Sequence, residues 1–550
     1  MYIKSIYFFS LLQFFSFCCT KKEMVLDDTV FKYQEISLNG KFNENKFSNV
    51  HPLPKIKFKF SKSIDTTSIK SSILLRSESG QELKFTYTTS DSDSTLWITA
   101  LDSLDYFSLN DLYINSNLKS VSNKSLESSV HLRLVTSFNP TPQPVTLSDD
   151  SLLTLVQQRT FKYFWDFGHP VSGLSRERNT SGDVCTSGGS GFGIMSILVG
   201  IQRNFISRED GLNRLIQITD FLTDKVITYH GAYPHWFNGT SGATIPFSQF
   251  DDGADLVETS YLMMGLLCAR QFFTKNNNSE KKLRNQVDYL FNRVEWDFFQ
   301  KNEEVLYWHW SEKYGWKMNF KVQGWNEALI TYVMAASSDL HPISKNTYIN
   351  GWAKNGGIKN GNTYYGYILP LGPPLGGPLF FEHYSFLGID PKGLRDDYAD
   401  YEIQTRNHSL INYSYCLANP KKYFGYSTTC WGLTASDTYG GYTAHEPNND
   451  RGVISPTAAL SSIPFTPEES MRALRFFYYE IGNKTWKDYG FIDAFSLDEY
   501  WFSNSFLAID QGPIIIMLEN YRTGLLWNLF TSCPEVKSGM KKLGFKAPYL

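Results

Sequence analysis

Neither within its first seventeen residues nor beyond them has this 550-residue chain an apolar run long enough to cross a bilayer. It has little net charge, −3 with a pI near 6.4, so no basic field recruits nucleic acid. Its seven cysteines fit no zinc or redox spacing. It also lacks a GxSxG elbow, a P-loop and a dinucleotide fingerprint, and no tight repeat period suggests a solenoid. These absences remove nucleic-acid binding, nucleotide-dependent chemistry and a multi-span membrane protein from consideration, and no cofactor is implied.

Aromatic residues are abundant: 13 Trp, 33 Tyr and 41 Phe make up 16% of the chain. Many must be core. Those set in Gly-rich polar segments suit stacking platforms with a polar handle, a surface matched to the apolar C–H faces of pyranose rings. Trp308, Trp325 and Trp431 are candidates, with Trp316 and the Tyr364–Tyr367 cluster.

The N-terminus reads as an export signal. Lys4 precedes the apolar run Ile6–Phe17, too short to span a bilayer, and Cys18-Cys19 follows at once. The pair resembles a bacterial lipoprotein processing site, with Cys18 or Cys19 as the acylated residue. Residues 1–19 are thus expected to be a lipoprotein signal peptide and 20–50 a polar tether. The implied location is the periplasm or outer membrane of a bacterium, held by a lipid anchor. Of the other cysteines, Cys416 and Cys430 could bridge in an oxidising compartment, while Cys268 reads as a small core residue.

Residues 51–138 have a β pattern. Lys55-Ile56-Lys57-Phe58-Lys59-Phe60 alternates at period two, and further short strands follow between Ser/Asp/Asn/Gly turns. About ninety residues with six or seven strands suggest a β-sandwich resembling bacterial immunoglobulin-like (Ig-like) modules, a spacer rather than a catalytic body. Three prolines in Asn139–Pro144 mark a stiff linker over 139–147. From 148 to 550 the period turns helical, with helices expected near 148–167, 191–204, 209–228, 254–274, 279–298, 325–338, 395–418, 467–482 and 506–530. Long Gly/Trp/Tyr/Asn-rich loops separate them, at 168–190, 229–253, 339–376 and 419–466, and loops of this length usually carry function. The pattern suggests a mainly α fold in which helical hairpins close into an α/α toroid.

The chemistry concentrates in Phe250–Thr259. Read as helix, it places Asp251, Asp255 and Glu258 at i, i+4 and i+7, on one face of an otherwise apolar segment. Carboxylates so placed repel one another and resist burial, unless they line a wet cavity that uses them. Acid/base chemistry on a sugar is one such use. The competing reading is that acids in a first helical turn complement the helix dipole. Glu327, at the start of another apolar helix in Gly324-Trp325-Asn326-Glu327, could supply a second carboxyl across a glycosidic bond, although a capping role competes. In Tyr439–Gly452, Tyr442, His445 and Glu446 could hold sugar hydroxyls, or form an ordered structural loop. His445 has no second ligand at a recognised spacing, so no metal site is read. Asp493 and Asp498 could be further cleft acids or a solvated loop.

Four segments together, Phe250–Thr259, Gly324–Glu327, Tyr442–Pro447 and Asp510-Gln511-Gly512-Pro513, resemble the bacterial glucoamylase-like domain of glycoside hydrolase family 144. The resemblance implies an (α/α)6 barrel acting on β-1,2-glucan with inversion, with Asp251, Asp255, Glu258 and Glu327 as the cleft acids. Glu258 or Glu327 would protonate the leaving oxygen, and Asp255 or Asp251 would activate water. An inverting pair stands about 6.5–9.5 Å apart to admit that water. Two alternatives are carried with this one: a surface glycan-binding lipoprotein without turnover, and a polysaccharide lyase on the same toroid.

Overall fold

The computed structural model describes residues 30–550, in two compact units divided between Asn139 and Pro140. The expected signal peptide and Cys18 and Cys19 lie outside the described residues. Among those described, no helix is long and apolar enough to cross a membrane.

The first unit holds two five-stranded sheets. One has the order β2 (Lys41–Phe42), β1 (Tyr33–Leu38), β4 (Lys55–Phe60), β8 (Thr95–Ala100), β7 (Phe85–Ser90). The other runs β3 (Lys46–Val50), β10 (Val130–Thr136), β9 (Leu109–Ile114), β5 (Ile73–Ser77), β6 (Glu82–Leu83). Alternation decides which faces meet. In β4 the lysines point out while Ile56, Phe58 and Phe60 are buried, joining Ile98, Leu112 and Leu132 in one shared core. Residues 31–50, expected as tether, are instead β structure: β1 and β3 bury Ile36, Leu38, Phe47 and Val50 in that core. Their interspersed Asn, Lys and Glu residues hid the alternation.

The second unit is helix-rich. Its principal helices are α1 (Asp149–Trp165), α2 (Ser187–Gln202), α3 (Arg208–Asp224), α4 (Leu256–Phe272), α5 (Asn278–Asn292), α6 (Leu329–Ser337), α7 (Phe380–His383), α8 (Tyr401–Ala418), α9 (Pro456–Ser461), α10 (Pro467–Arg475) and α11 (Ala508–Thr523). Helix α2 packs on α4 and α11, α4 on α6, and α11 on α9; the Ser385–Leu387 turn after α7 touches both α6 and α11. Helices α1, α3, α5 and α10 pack outside this series: α1 on α11 and α2, α3 on α5 and α2, α5 on α4, and α10 on α9. The inner helices are apolar on every face because every face is covered: Ser187 through Gly200 are all buried. Helix α5 instead alternates buried Leu283, Val287 and Leu290 with exposed charge. Helices α2 and α4 cross almost in backbone contact. A Cβ on Gly191 would stand 2.1 Å from the Tyr261 carbonyl oxygen, and one on Gly265 would stand 2.2 Å from the Gly191 oxygen.

Helices α7 and α9 occupy stretches not expected to be helical, and α9 falls within the anticipated 419–466 loop. The five cysteines of the helical unit are free and buried, Cys268 among them, so Cys416 and Cys430 do not bridge. Both pack in apolar surroundings that raise their thiols.

Candidate active site

The acid segment is built differently from a single helical stripe. Helix α4 begins only at Leu256, and Asp255 is its N-cap, accepting the Glu258 N–H at 2.9 Å. Asp251 lies in the preceding turn. A two-residue strand, Ala254–Asp255, pairs with His309–Trp310 and sets Asp255 opposite His309. The three acids converge through this turn, strand and cap. The dipole reading holds for the backbone role of Asp255, but not for the Glu258 side chain. That carboxylate turns away from its own helix and accepts the Gly188 N–H at 2.7 Å and the Thr186 hydroxyl at 3.3 Å. Position 188 admits no side chain, because a Cβ there would lie 2.5 Å from Glu258 Oε2.

His235 makes the cluster tolerable. Its Nδ1 pairs with Asp255 Oδ2 at 2.9 Å, and His309 Nε2 stands 3.3 Å from Asp251 Oδ2 and 3.7 Å from Asp255 Oδ2. Burial alone would depress the His235 imidazole, but Glu258, Asp255 and Asp251 override it and lift it to about 9, so it is an imidazolium at neutral pH. Burial likewise opposes the Asp255 carboxylate, yet its hydrogen bond to His235, His309 and the Glu258 N–H hold it below the usual range. Burial, then Asp255, push Asp251 up to about 7. Burial also raises Glu258, with Asp255 adding to it and His235 opposing. His309 is depressed by burial. His235, Asp251 and Asp255 bring donor atoms within 4.8 Å of one another, a set that could hold a metal ion, with the His235 nitrogen here given to Asp255.

Glu327 arrives from another segment. It is half-buried in the turn before α6, not in the helix, and its carbonyl oxygen accepts the hydroxyls of Ser385 at 2.5 Å and Tyr261 at 3.2 Å. Burial lifts its carboxyl to about 7, and Glu258 and Asp255 add to the rise. The acids of α4 and Glu327 therefore share one electrostatic environment.

Of these acids Glu258 lines a cavity of about 470 Å³, with His235 beside it. Glu258, Thr186 and His235 line one part, Trp236 and Phe247 form an aromatic wall, and Glu177, Arg178, Tyr384 and Tyr442 line the remainder with small apolar groups. The rings of His235, Trp236 and Phe247 pack together with centroids 4.2 and 4.7 Å apart around Phe247, which is 49% exposed and open to a ligand.

Of the residues expected to hold substrate, Tyr442 alone lines this cavity. Trp325 is core, packed against Trp352, Phe386 and Tyr401. Trp431 is fully buried, its indole N–H on the Glu469 carbonyl and its ring edge-on to Tyr413. Trp308 is half-buried and stacks on His309, behind the acids. His445 is fully buried and burial depresses it to about 4, with Arg451 adding to the effect, so it is neutral. Glu446 is half-buried, faces His408, and does not line the cavity. Asp498 caps a loop, accepting the Phe424 N–H, whereas Asp493 is buried near the cavity wall. No motif pointed directly to His235, Arg178, Trp236 or Phe247. The usable signal was that buried acids need a cation, and His235 and His309 flank them in sequence.

Known proteins resemble this chain in sequence and in fold. The glycoamylase family model, which describes glucoamylases, matches residues 319–534. An endo-β-1,2-glucanase from Chitinophaga pinensis, solved with sophorotriose and glucose, is 52% identical, with 74% of this chain and 100% of that one covered at a TM-score of 0.72. A β-1,2-glucanase from Parabacteroides distasonis is 36% identical over 93% of this chain and 74% of its own, at a TM-score of 0.71. An exo-β-1,2-glucooligosaccharide sophorohydrolase, also from Parabacteroides distasonis, is 45% identical over 421 residues, and this chain spans 58% of its length. By this likeness in sequence and fold the chain is a carbohydrate-active enzyme. The chain belongs to the glucoamylase-like family of glycoside hydrolases that includes the β-1,2-glucanases, glycoside hydrolase family 144.

Proposed function

We propose that this protein hydrolyses β-1,2-linked glucan or its oligosaccharides with inversion at the anomeric carbon. The observation that carries this reading is that the carboxyls of Asp251, Asp255 and Glu258 surround one imidazolium, that Glu327 from a separate segment lies in the field of Glu258 and Asp255, and that Glu258 and His235 line one cavity. Burial and mutual charge raise Asp251, Glu258 and Glu327, while the contacts with His235 and His309 hold Asp255 low. Glu327, held protonated to about neutral pH, gives its proton to the leaving glycosidic oxygen. Asp251 takes a proton from the water that attacks the anomeric carbon. Glu258, fixed on one oxygen by Gly188, presents the other to the sugar. Asp255 has both oxygens engaged, by His235 and by the Glu258 N–H, so it positions the cluster and does not act as the base.

The same reading makes the helical unit an (α/α)6 toroid and the N-terminal unit an Ig-like spacer on a lipid anchor at Cys18 or Cys19. Radiolabelled palmitate incorporated by the wild type and lost on replacing both cysteines supports the anchor; unlabelled wild-type protein refutes it. For the activity, the purified chain is incubated with linkage-defined glucans, with product sizing and anomer determination. Release of α-anomeric products from β-1,2-glucan, with other linkages inert, is expected. Retention of the β-anomer, or turnover confined to another linkage, contradicts the proposal.

A further inference from the structure

A second group of carboxyls adjoins the cavity lining, Asp510 next to Ile509 and Asp437 paired with Tyr442, and the hydrolytic mechanism does not use it. Asp493 and Asp510 are each 1% exposed. Asp493 Oδ1 and Asp510 Oδ2 are buried with no N–H or hydroxyl donor among the described residues, and the two carboxyls bond to each other. Two buried carboxylates in contact cannot both be ionised, so they must share a proton. The other Asp493 oxygen accepts the Asp437 backbone N–H at 2.7 Å. The Asp437 carboxylate in turn accepts Arg178 Nη1 on both oxygens at 3.3 Å and the Ser505 hydroxyl at 2.5 Å. Arg178 Nε is taken by both Glu177 oxygens at 3.0 Å. Of the guanidinium nitrogens, Nη2 is left without a protein acceptor among the described residues, and Arg178 and Glu177 both line the cavity.

We propose that Asp510 and Asp493 form a carboxyl–carboxylate pair that, through Asp437, positions Arg178 as a specificity-determining contact for a sugar hydroxyl. The inference rests on the glycan reading of the cavity and extends it to the ligand's charge. With one proton shared, the pair carries one negative charge, and Glu177 and Asp437 bring two more against the single cation of Arg178. Such a wall repels a uronic acid or a phosphorylated sugar and admits a neutral one, whose hydroxyls donate to Glu177 and accept from Arg178. Burial raises both Asp493, to about 7, and Asp510, each adding to the other, which agrees with a retained proton. Asp437, Arg178, Tyr384 and Tyr442 are the other titratable groups that face the pair.

The test is calorimetric titration of sophorotriose into the full chain carrying Glu327→Gln to suppress turnover, with added changes at the pair and wall. Asp510→Ala and Arg178→Ala are each expected to weaken binding at least tenfold. Their combination should fall within about twofold of Arg178→Ala alone, because both act through one contact. Asp510→Asn, whose amide replaces the shared proton as donor to Asp493, should keep affinity within about threefold. Asp437→Ala, which removes the acceptor that holds Arg178, should match Arg178→Ala even if Asp510→Ala fails to fold. Background affinity in Asp510→Ala or Asp437→Ala, or multiplicative losses in the double variant, would overturn the inference while leaving the glycan reading intact. Failure of the background protein itself to bind sophorotriose overturns both.

Discussion

At the residue scale, the site depends on a cation that the acid pattern does not display. His235 is lifted from 6.5 to about 9 by the carboxylates around it. A group whose folded value exceeds its unfolded one contributes stability that is fully present below about 6.5 and lost as pH rises through about 9. The melting temperature of the wild type should therefore fall between those pH values, and that of His235→Gln should fall less. Equal slopes in calorimetric scans would refute the imidazolium. Asp251, raised from 3.8 to about 7, also loses stability as pH rises, but over that lower window, so the two are separable. Gly188 is the second residue on which the geometry turns. Gly188→Ala places a methyl against Glu258 Oε2, and a misplaced catalytic carboxyl can cost on the order of 10²-fold in rate. A Gly188→Ala enzyme with wild-type turnover on β-1,2-glucan would show that Glu258 needs no such seat.

At the element scale, legibility followed periodicity. The helix expected near 209–228 appears as Arg208–Asp224, and the Lys55–Phe60 strand is where alternation put it, because each carries its own buried face in sequence. What failed depended on partners. Asp251 and Asp255 fit helical spacing yet sit in a turn and a strand, since pairing with His309–Trp310 outweighs local helix preference there. Trp325 and Trp431 read as platforms because they lie in Gly-rich polar segments, but the fold covers both rings. The acids themselves were legible because charge in an apolar segment needs a reason; the aromatic wall of Trp236 and Phe247 carried no such anomaly. Helix crossing gives the prediction at this scale. Gly265→Ala drives a methyl into the Gly191 backbone, and overpacking of this kind costs about 1–3 kcal/mol. Chemical denaturation should show that loss with little change in slope, and an unchanged midpoint would mean that the two helices can separate freely.

At the scale of the molecule, the helical unit contains every residue of the proposed chemistry. A solved relative covered in full by 74% of this chain shows that such a unit occurs on its own. Residues 140–550 should therefore fold alone and hydrolyse β-1,2-glucan with kcat/KM within about fivefold of the whole chain. A larger loss would assign the β unit a part in substrate capture. The central claim is narrower: carboxyls from the turn before α4 and from the turn before α6 serve one reaction. Steady-state turnover of Asp251→Asn and Glu327→Gln on β-1,2-glucan tests it most directly. Each variant is predicted to lose about 10²–10⁴-fold in kcat with KM little changed, and near-normal turnover by either one would contradict the account.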